Sequence, residues 1–332
     1  MTNANTLYVV LPCYKEEEVL PETAKRIQAK LLSLMEAGTI SEASKVLFVN
    51  DGSPDHTWGI IEALHQADPI FCGVNLSKNK GHQNALLAGL VVAKDRADMV
   101  ISMDADLQDD INAIDEMVAK YQAGNDVVYG VRSSRASDTW FKRVSAESFY
   151  KLMRLMGVDI VFNHADYRLM SKRAIESLEL FKEAQMFIRG IVPMIGYKSA
   201  TVYYERSERF AGETKYPLKK MLTFALEGTT SLSIKPIRLI TVTGFLFFIV
   251  SVFMLGYFMV DYLRGGTQPG WASLIVSIWG IGGLQLLAIG IIGEYIGKIY
   301  ATVKGRPRYI IEQVLMTPTD QEGSADDSGM GI

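Results

Sequence analysis

From residue 7 to about residue 205, short apolar runs alternate with longer stretches in which apolar residues recur every three or four positions. The runs at 7–11, 46–49, 71–76, 99–103, 127–131 and 200–204 are too short for helices and rich in Val, Ile, Leu and Phe, so they read as buried strands. The periodic stretches 17–35, 57–67, 83–94 and 111–122 read as amphipathic helices. This βαβα order predicts an α/β fold with a mostly parallel, Rossmann-like sheet and helices on both faces. Ligands of such sheets sit beyond the carboxyl ends of the strands, in the loops that follow them.

The pattern changes after Lys235. Residues 239–260 and 271–293 carry no charged side chain, and each is long enough to cross a bilayer as a helix. The segment between them, DYLRGGTQPG, is short and turn-rich, which predicts a helical hairpin. Lys215, Lys219, Lys220, Lys235 and Arg238 precede the first span, Lys298, Lys304, Arg306 and Arg308 follow the second, and the connecting loop offers Arg264. By the positive-inside rule both ends face the cytoplasm. Residues 216–234 and 140–156 mix Lys and Arg with Leu, Met and Phe and are candidates for helices lying in the membrane interface, the first favoured because it runs straight into a span. The expected organisation is therefore a cytoplasmic domain over 1–215, an interfacial helix over 216–235, two membrane spans within 236–300, and a cytoplasmic tail over 301–332. The polar, acidic stretch from residue 317 is expected to be disordered.

Composition narrows the partners. The formal net charge is -3 over 332 residues, so no overall positive charge points to a nucleic acid. The two cysteines, Cys13 and Cys72, make no disulfide framework, and a reducing compartment suits them. His56, His65, His82 and His164 lie apart without the spacing of a zinc site. The N-terminus has no basic segment followed by a long apolar core, so the first domain is expected to stay in the cytoplasm of a multi-pass inner-membrane protein. Gly280, Gly282 and Gly283, with Gln285 nearby, would let helices approach closely, and a homo-oligomer is expected through this region.

Candidate chemistry collects in four loops that follow predicted strands or open helices: PCYKEE from Pro12, NDGSPD from Asn50, NKGH from Asn79 and DADLQD from Asp104. All four converge on one crevice if the strands are parallel. On an extended segment Asp104 and Asp106 point the same way, so both can face one divalent ion. Mg²⁺ or Mn²⁺ takes such hard oxygen ligands, often one or two carboxylates completed by substrate phosphates. Asp109 and Asp110 suit the capping of the helix that follows.

These motifs, LPCYKEEE, VNDGSPDHT, NKGHQNALLAG and DADLQD, with ADYRLMSK and ERFAGETKYPLKK further along, resemble those of the family-2 inverting glycosyltransferases of the GT-A fold. Within that family they are similar to the polyprenyl-phosphate glycosyltransferases, which include bactoprenol glucosyltransferases and dolichol-phosphate mannose synthases. The resemblance spans residues 7–311. It implies a nucleotide-sugar donor, a polyprenyl-phosphate acceptor, a Mg²⁺ or Mn²⁺ cofactor and a membrane setting. It also implies roles: Pro12, Tyr14 and Glu16 at the base and ribose, Asp51 bonded to the base, and Lys80 beside that pocket. Asp104 would serve the ribose or sugar side and the metal, Asp106 the metal, and Gln108 the metal and donor sugar. Asp166 matches the residue near the acceptor proposed as catalytic base, while Arg206 and Lys215 would meet donor and acceptor phosphates. Independently of the resemblance, Arg132 belongs to a local basic group with Arg135, Lys142 and Arg143 that could also meet a phosphate. Lys15 and Asn50 depart from the family pattern, which usually has Asn and Asp there.

A lipid monophosphate has its second pKa near 6, so at pH 7 it is mainly dianionic and has little need of a base. Asp166 is therefore expected to orient acceptor or donor more than to take a proton. The two-span anchor favours a UDP donor with a glucose-like sugar; another UDP-sugar and GDP-mannose remain open. The segment MFIRGIVPMIG holds Arg189 but no QxxRW motif, which counts against a processive polysaccharide synthase. A nucleotide-binding scaffold without catalysis is opposed by the intact Asp104/Asp106 pair.

Overall fold

The computed structural model describes residues 4–133, 164–183, 187–205, 235–264 and 270–317. The chain divides into two compact units: Met1–Tyr150 with Ile160–Tyr216 and Arg306–Ile332, and Lys151–Asp159 with Pro217–Gly305. The expected interfacial stretches 140–156 and 216–234 and the acidic end beyond residue 317 lie outside the described residues.

The first unit is an α/β sheet. Its strands are β1 (Leu7–Cys13), β2 (Lys45–Asn50), β3 (Phe71–Leu76), β4 (Met99–Ser102), β5 (Val127–Arg132), β6 (His164–Ser171), β7 (Ser199–Tyr204) and β8 (Ile311–Leu315). They lie in the order β7-β5-β6-β4-β1-β2-β3-β8. Pairing is parallel for β1–β2, β2–β3, β1–β4 and β5–β7, and antiparallel for β4–β6, β5–β6 and β3–β8. The sheet is thus mixed, which corrects the expectation of a mostly parallel one.

Both unexpected strands have a physical reason for their weak signal. β6 reads HADYRLMS: Tyr167 and Leu169 join the core on one face, while the buried Asp166 and Arg168 break the apolar run on the other. β8 reads IEQVL and is an edge strand whose central residues stay exposed. It returns the chain to the sheet after the second unit, where it pairs with β3.

Helices cover both faces. Helices α1 (Leu20–Glu36), α2 (Thr57–Ala67) and α4 (Ala113–Gln122) place Leu20, Ile27, Leu31, Ile61, Ile114 and Met117 in the main core with Val9, Leu11, Phe48 and Ile101 of the sheet. On the other face α3 (His82–Lys94) packs against β1, β2 and β4, and beside α5 (Lys172–Glu179). A short α6 (Ile188–Met194) follows. The approach of α3 needs Gly89, where a Cβ would stand 2.4 Å from Val10 Cγ1 and 2.7 Å from Val49 Cγ2.

The second unit holds two long helices in mutual contact, α7 (Lys235–Leu263) and α8 (Trp271–Val303). Large apolar side chains such as Phe245, Phe253, Leu286 and Ile289 are exposed on them. Among the described residues one stretch is long and apolar enough to cross a membrane, Gly280–Val303, with a mean hydropathy of 1.4.

Overpacking a tight helix–sheet contact costs about 1–3 kcal/mol. Gly89→Val is therefore expected to lower the melting temperature by several degrees, as read by thermal unfolding in detergent. An unchanged melting temperature would contradict the close packing of α3.

Candidate active site

The acidic loop is built by its neighbours. Chain extension from β4 is taken over by Met103, whose amide donates to Val10 O at 3.1 Å. Buried Thr23 of α1 then donates its hydroxyl to Ala105 O at 2.8 Å, fixing the peptide between Asp104 and Asp106. Asp106 is buried, and its Oδ1 accepts the Gln108 amide at 3.2 Å. Leu107, between them, has φ +58°, a left-handed conformation that a branched residue adopts only when its surroundings impose it. Its side chain is buried. The loop is thus held in one shape that offers Asp104 and Asp106 from a rigid turn.

Antiparallel β6 brings the second half of the site. Its start meets the carboxyl end of β4, with Ser102 opposite Arg168, and the Ser102 hydroxyl donates to Asp166 O at 2.6 Å. Asp166 is 4% exposed, and a charge so buried must be paired. Arg189 of α6 supplies a two-point fork, Nε to Oδ1 at 2.9 Å and Nη2 to Oδ2 at 2.7 Å. His82 Nε2 lies 3.4 Å from Asp166 Oδ2 and 3.7 Å from Asp104 Oδ1. Burial alone would raise the Asp166 carboxyl; Arg189 and His82 outweigh it and hold that carboxyl well below the usual range. The reverse holds for Asp104, which burial and the charges of Asp166 and Asp106 push up against the opposing effect of His82. Fully buried Arg168 sits 3.8 Å from Asp166 Oδ1 and over the Tyr129 ring, with no hydrogen-bond partner for its guanidinium among the described residues.

The loops after β1 and β2 interlock. β1 pairs with β4 only as far as Val10, so Pro12 falls where that flank is already open and a missing N–H costs nothing. Tyr14 is 43% exposed and Lys15 has φ +58°, with its amide donated to Ser53 Oγ at 3.1 Å. The Glu16 amide donates to Thr57 Oγ1 at 3.0 Å. Asp51 is buried and accepts the Lys80 and Gly81 amides at 2.7 and 2.9 Å, one on each oxygen, so it ties the β2 loop to the start of α3. Asn50 has a structural use for its amide: Nδ2 donates to Asn75 Oδ1 at 2.8 Å and Oδ1 accepts the Ser53 amide at 3.3 Å. Asp104, Asp106, Gln108, Asp51 and Lys80, from the loops after β4 and β2 and the start of α3, and Asp166 of β6 therefore lie at one end of the sheet. Arg206 and Lys215 lie outside the described residues. Sequence reasoning missed His82 and Arg189 as site residues. His82 directly follows the NKG of a recognised loop, while Arg189 stands in an apolar run with no periodic cue.

The profile of glycosyl transferase family 2 matches residues 8–179, from the first strand to the end of α5. The chain belongs to glycosyltransferase family 2. It is 55% identical over 307 residues to the uncharacterized glycosyltransferase YkoT of Bacillus subtilis, covering 92% of this chain and 91% of that protein. It is 40% identical over 310 residues to the SfII prophage-derived bactoprenol glucosyl transferase of Shigella flexneri, covering 92% and 97%. To the prophage bactoprenol glucosyl transferase homolog of Escherichia coli it is 39% identical over 310 residues, covering 92% and 98%.

One further carboxylate of this glycosyltransferase differs from its expected use. Asp110 makes the short local bond to the Asn112 amide at 2.9 Å, but Asp109 does not cap α4. Buried Asp109 accepts the Tyr204 hydroxyl at 2.5 Å, its other oxygen has no partner among the described residues, and Arg132 lies beside the pair. Burial, helped by the charge of Asp104, pushes the Asp109 carboxyl up to about 6. A carboxyl raised in the native state binds more protons folded than unfolded, so stability falls as pH rises from about 4 to 6 and the full cost stands above that. Asp109→Asn keeps an oxygen for Tyr204. It is expected to gain about 2 kcal/mol at pH 7 and nothing near pH 4, measured by thermal unfolding at both pH values. An equal effect at both would contradict the assignment.

Proposed function

We propose that this glycosyltransferase moves a hexosyl group, glucose or a similar sugar, from a UDP-sugar to the phosphate of a polyprenyl lipid, with inversion at C1. The observation that carries this reading is the crevice in which the DxD loop stands beside a carboxylate kept anionic by an arginine fork. The relatives named as bactoprenol glucosyl transferases, aligned over nearly their whole length, support the acceptor class and the glucose-like donor.

In this reading Pro12, Tyr14 and Glu16 line the base and ribose pocket, and Asp51, which would bond the base, also ties down the backbone of Lys80 beside that pocket. Asp104 and Asp106, with Gln108 adjacent, would hold Mg²⁺ or Mn²⁺. Their hard oxygens suit such an ion, and among the described residues no group of three or more His, Cys, Asp or Glu could hold a metal alone. Donor phosphates would therefore complete the shell. When bound, the ion supplies neutralisation of the diphosphate as its bond to the sugar breaks.

The acceptor phosphate oxygen attacks C1, the C1–oxygen bond to the diphosphate breaks, and the nucleoside diphosphate leaves with that electron pair. A dianionic phosphate carries no proton on the attacking oxygen, so the step needs no base. Asp166, with both oxygens on Arg189, holds that guanidinium in place toward the incoming phosphate. Arg132, Arg206 and Lys215 add positive charge for the second phosphate group. Helices α7 and α8 form a two-span hairpin with both ends in the cytoplasm, consistent with the flanking Lys and Arg and with the apolar side chains exposed on both helices. Its glycine-rich face is where copies of the chain would associate.

Membranes containing the protein, given radiolabelled UDP- and GDP-sugars, test this directly. Label from UDP-glucose is expected in the lipid extract, lost with EDTA and reduced at least ~10²-fold by Asp106→Asn. Lipid label from GDP-mannose alone would move the donor to mannose. No lipid label from any donor would overturn the proposal.

A further inference from the structure

We propose that His82 is the positioning residue that holds Asp166 and Asp104 apart, keeping the acceptor side of the crevice separate from the DxD loop. The inference rests on the transfer reading above and assigns a residue that this reading does not use.

The backbone of His82 is fixed on both sides. Asp51 takes the amides of Lys80 and Gly81, and Asn84 Nδ2 donates to Lys80 O at 2.8 Å, so the first turn of α3 cannot drift. Gly81 has φ +86°, which turns the chain into the helix with the imidazole directed across the crevice. There Nε2 is 3.4 Å from one Asp166 oxygen and 3.7 Å from one Asp104 oxygen. Two carboxylates, one in the loop after β4 and one in β6, thus face one ring nitrogen. A single N–H can be given to only one of them at a time. When the donor engages Asp104, that hydrogen bond falls to Asp166, beside the Arg189 fork on the same carboxylate. Without the imidazole, two like charges would face each other with Arg189 gripping only one, and their separation would no longer be set by a shared donor.

Loss of such placement lowers turnover without removing donor binding. His82→Ala is expected to reduce kcat for lipid transfer by about 10²-fold. Its UDP affinity and donor KM should stay within ~3-fold of wild type. His82→Gln, whose amide can still donate at similar reach, should recover a large part of kcat; His82→Asn, too short to reach, should not. Three results would each overturn the role: wild-type kcat in His82→Ala, UDP affinity falling in step with kcat, or His82→Gln no better than His82→Asn. Should His82→Ala fail to fold, the Gln and Asn variants decide alone. Wild-type protein that makes no lipid product would instead overturn the transfer reading on which this role stands.

Discussion

A carboxylate buried to 4% exposure cannot remain charged unless cations surround it, and Asp166 is surrounded. The Arg189 fork grips both its oxygens, His82 approaches one, and Arg168 stands behind. Much of the local architecture follows from that requirement. β6 must run antiparallel between β4 and β5 to bring Asp166 to the carboxyl end of β4. Ser102 must anchor its carbonyl, and α6 must follow closely enough for Arg189 to reach back. Removing one partner of a buried pair costs about 3–5 kcal/mol in typical cases, because the other charge is left stranded. Asp166 and Arg189 are therefore best regarded as one unit, with its charge and direction set by the fold.

The same unit changes what the site can do. A general base works best with a pKa near the working pH. Asp166 lies far from that condition, since its cationic neighbours hold its proton affinity well below the ordinary carboxylate range. A carboxylate so placed is suited to orientation. This agrees with an acceptor whose phosphate already carries its attacking lone pair at neutral pH. In the proposed reading the chemistry divides: the DxD loop would meet the departing diphosphate, and the Asp166–Arg189 unit the incoming phosphate.

Much of this was legible in the sequence. Apolar runs marked β1 to β5 because their residues are buried on both faces of a covered sheet, and β7 because its run at 200–204 is apolar although Tyr203 stays exposed. Loops with Asp51, Asp104 and Asp106 stood out because each directly follows such a run. What escaped detection did so for separate reasons: β6 buries charged residues among apolar ones, so its pattern looked like a loop. Arg189 escaped because its partner lies 23 residues away, reached only through tertiary packing. β8 escaped because an exposed edge strand shows little apolar signal, and its pairing with β3 spans more than two hundred residues of chain. Asn50 departs from the family's usual aspartate; in the fold its amide braces the Ser53 turn and reaches Asn75, a use that an aspartate could not serve in the same way.

The most direct measurement is the pH dependence of kcat for lipid transfer, compared between wild type and Asp166→Asn. Asparagine preserves size and some hydrogen bonding but not charge. The account predicts a much lower rate in the variant with a pH profile of the same shape, because the wild-type carboxylate does not titrate in the working range. A rising limb that is present in the wild type and absent from the variant would contradict it, and would make Asp166 the proton acceptor after all.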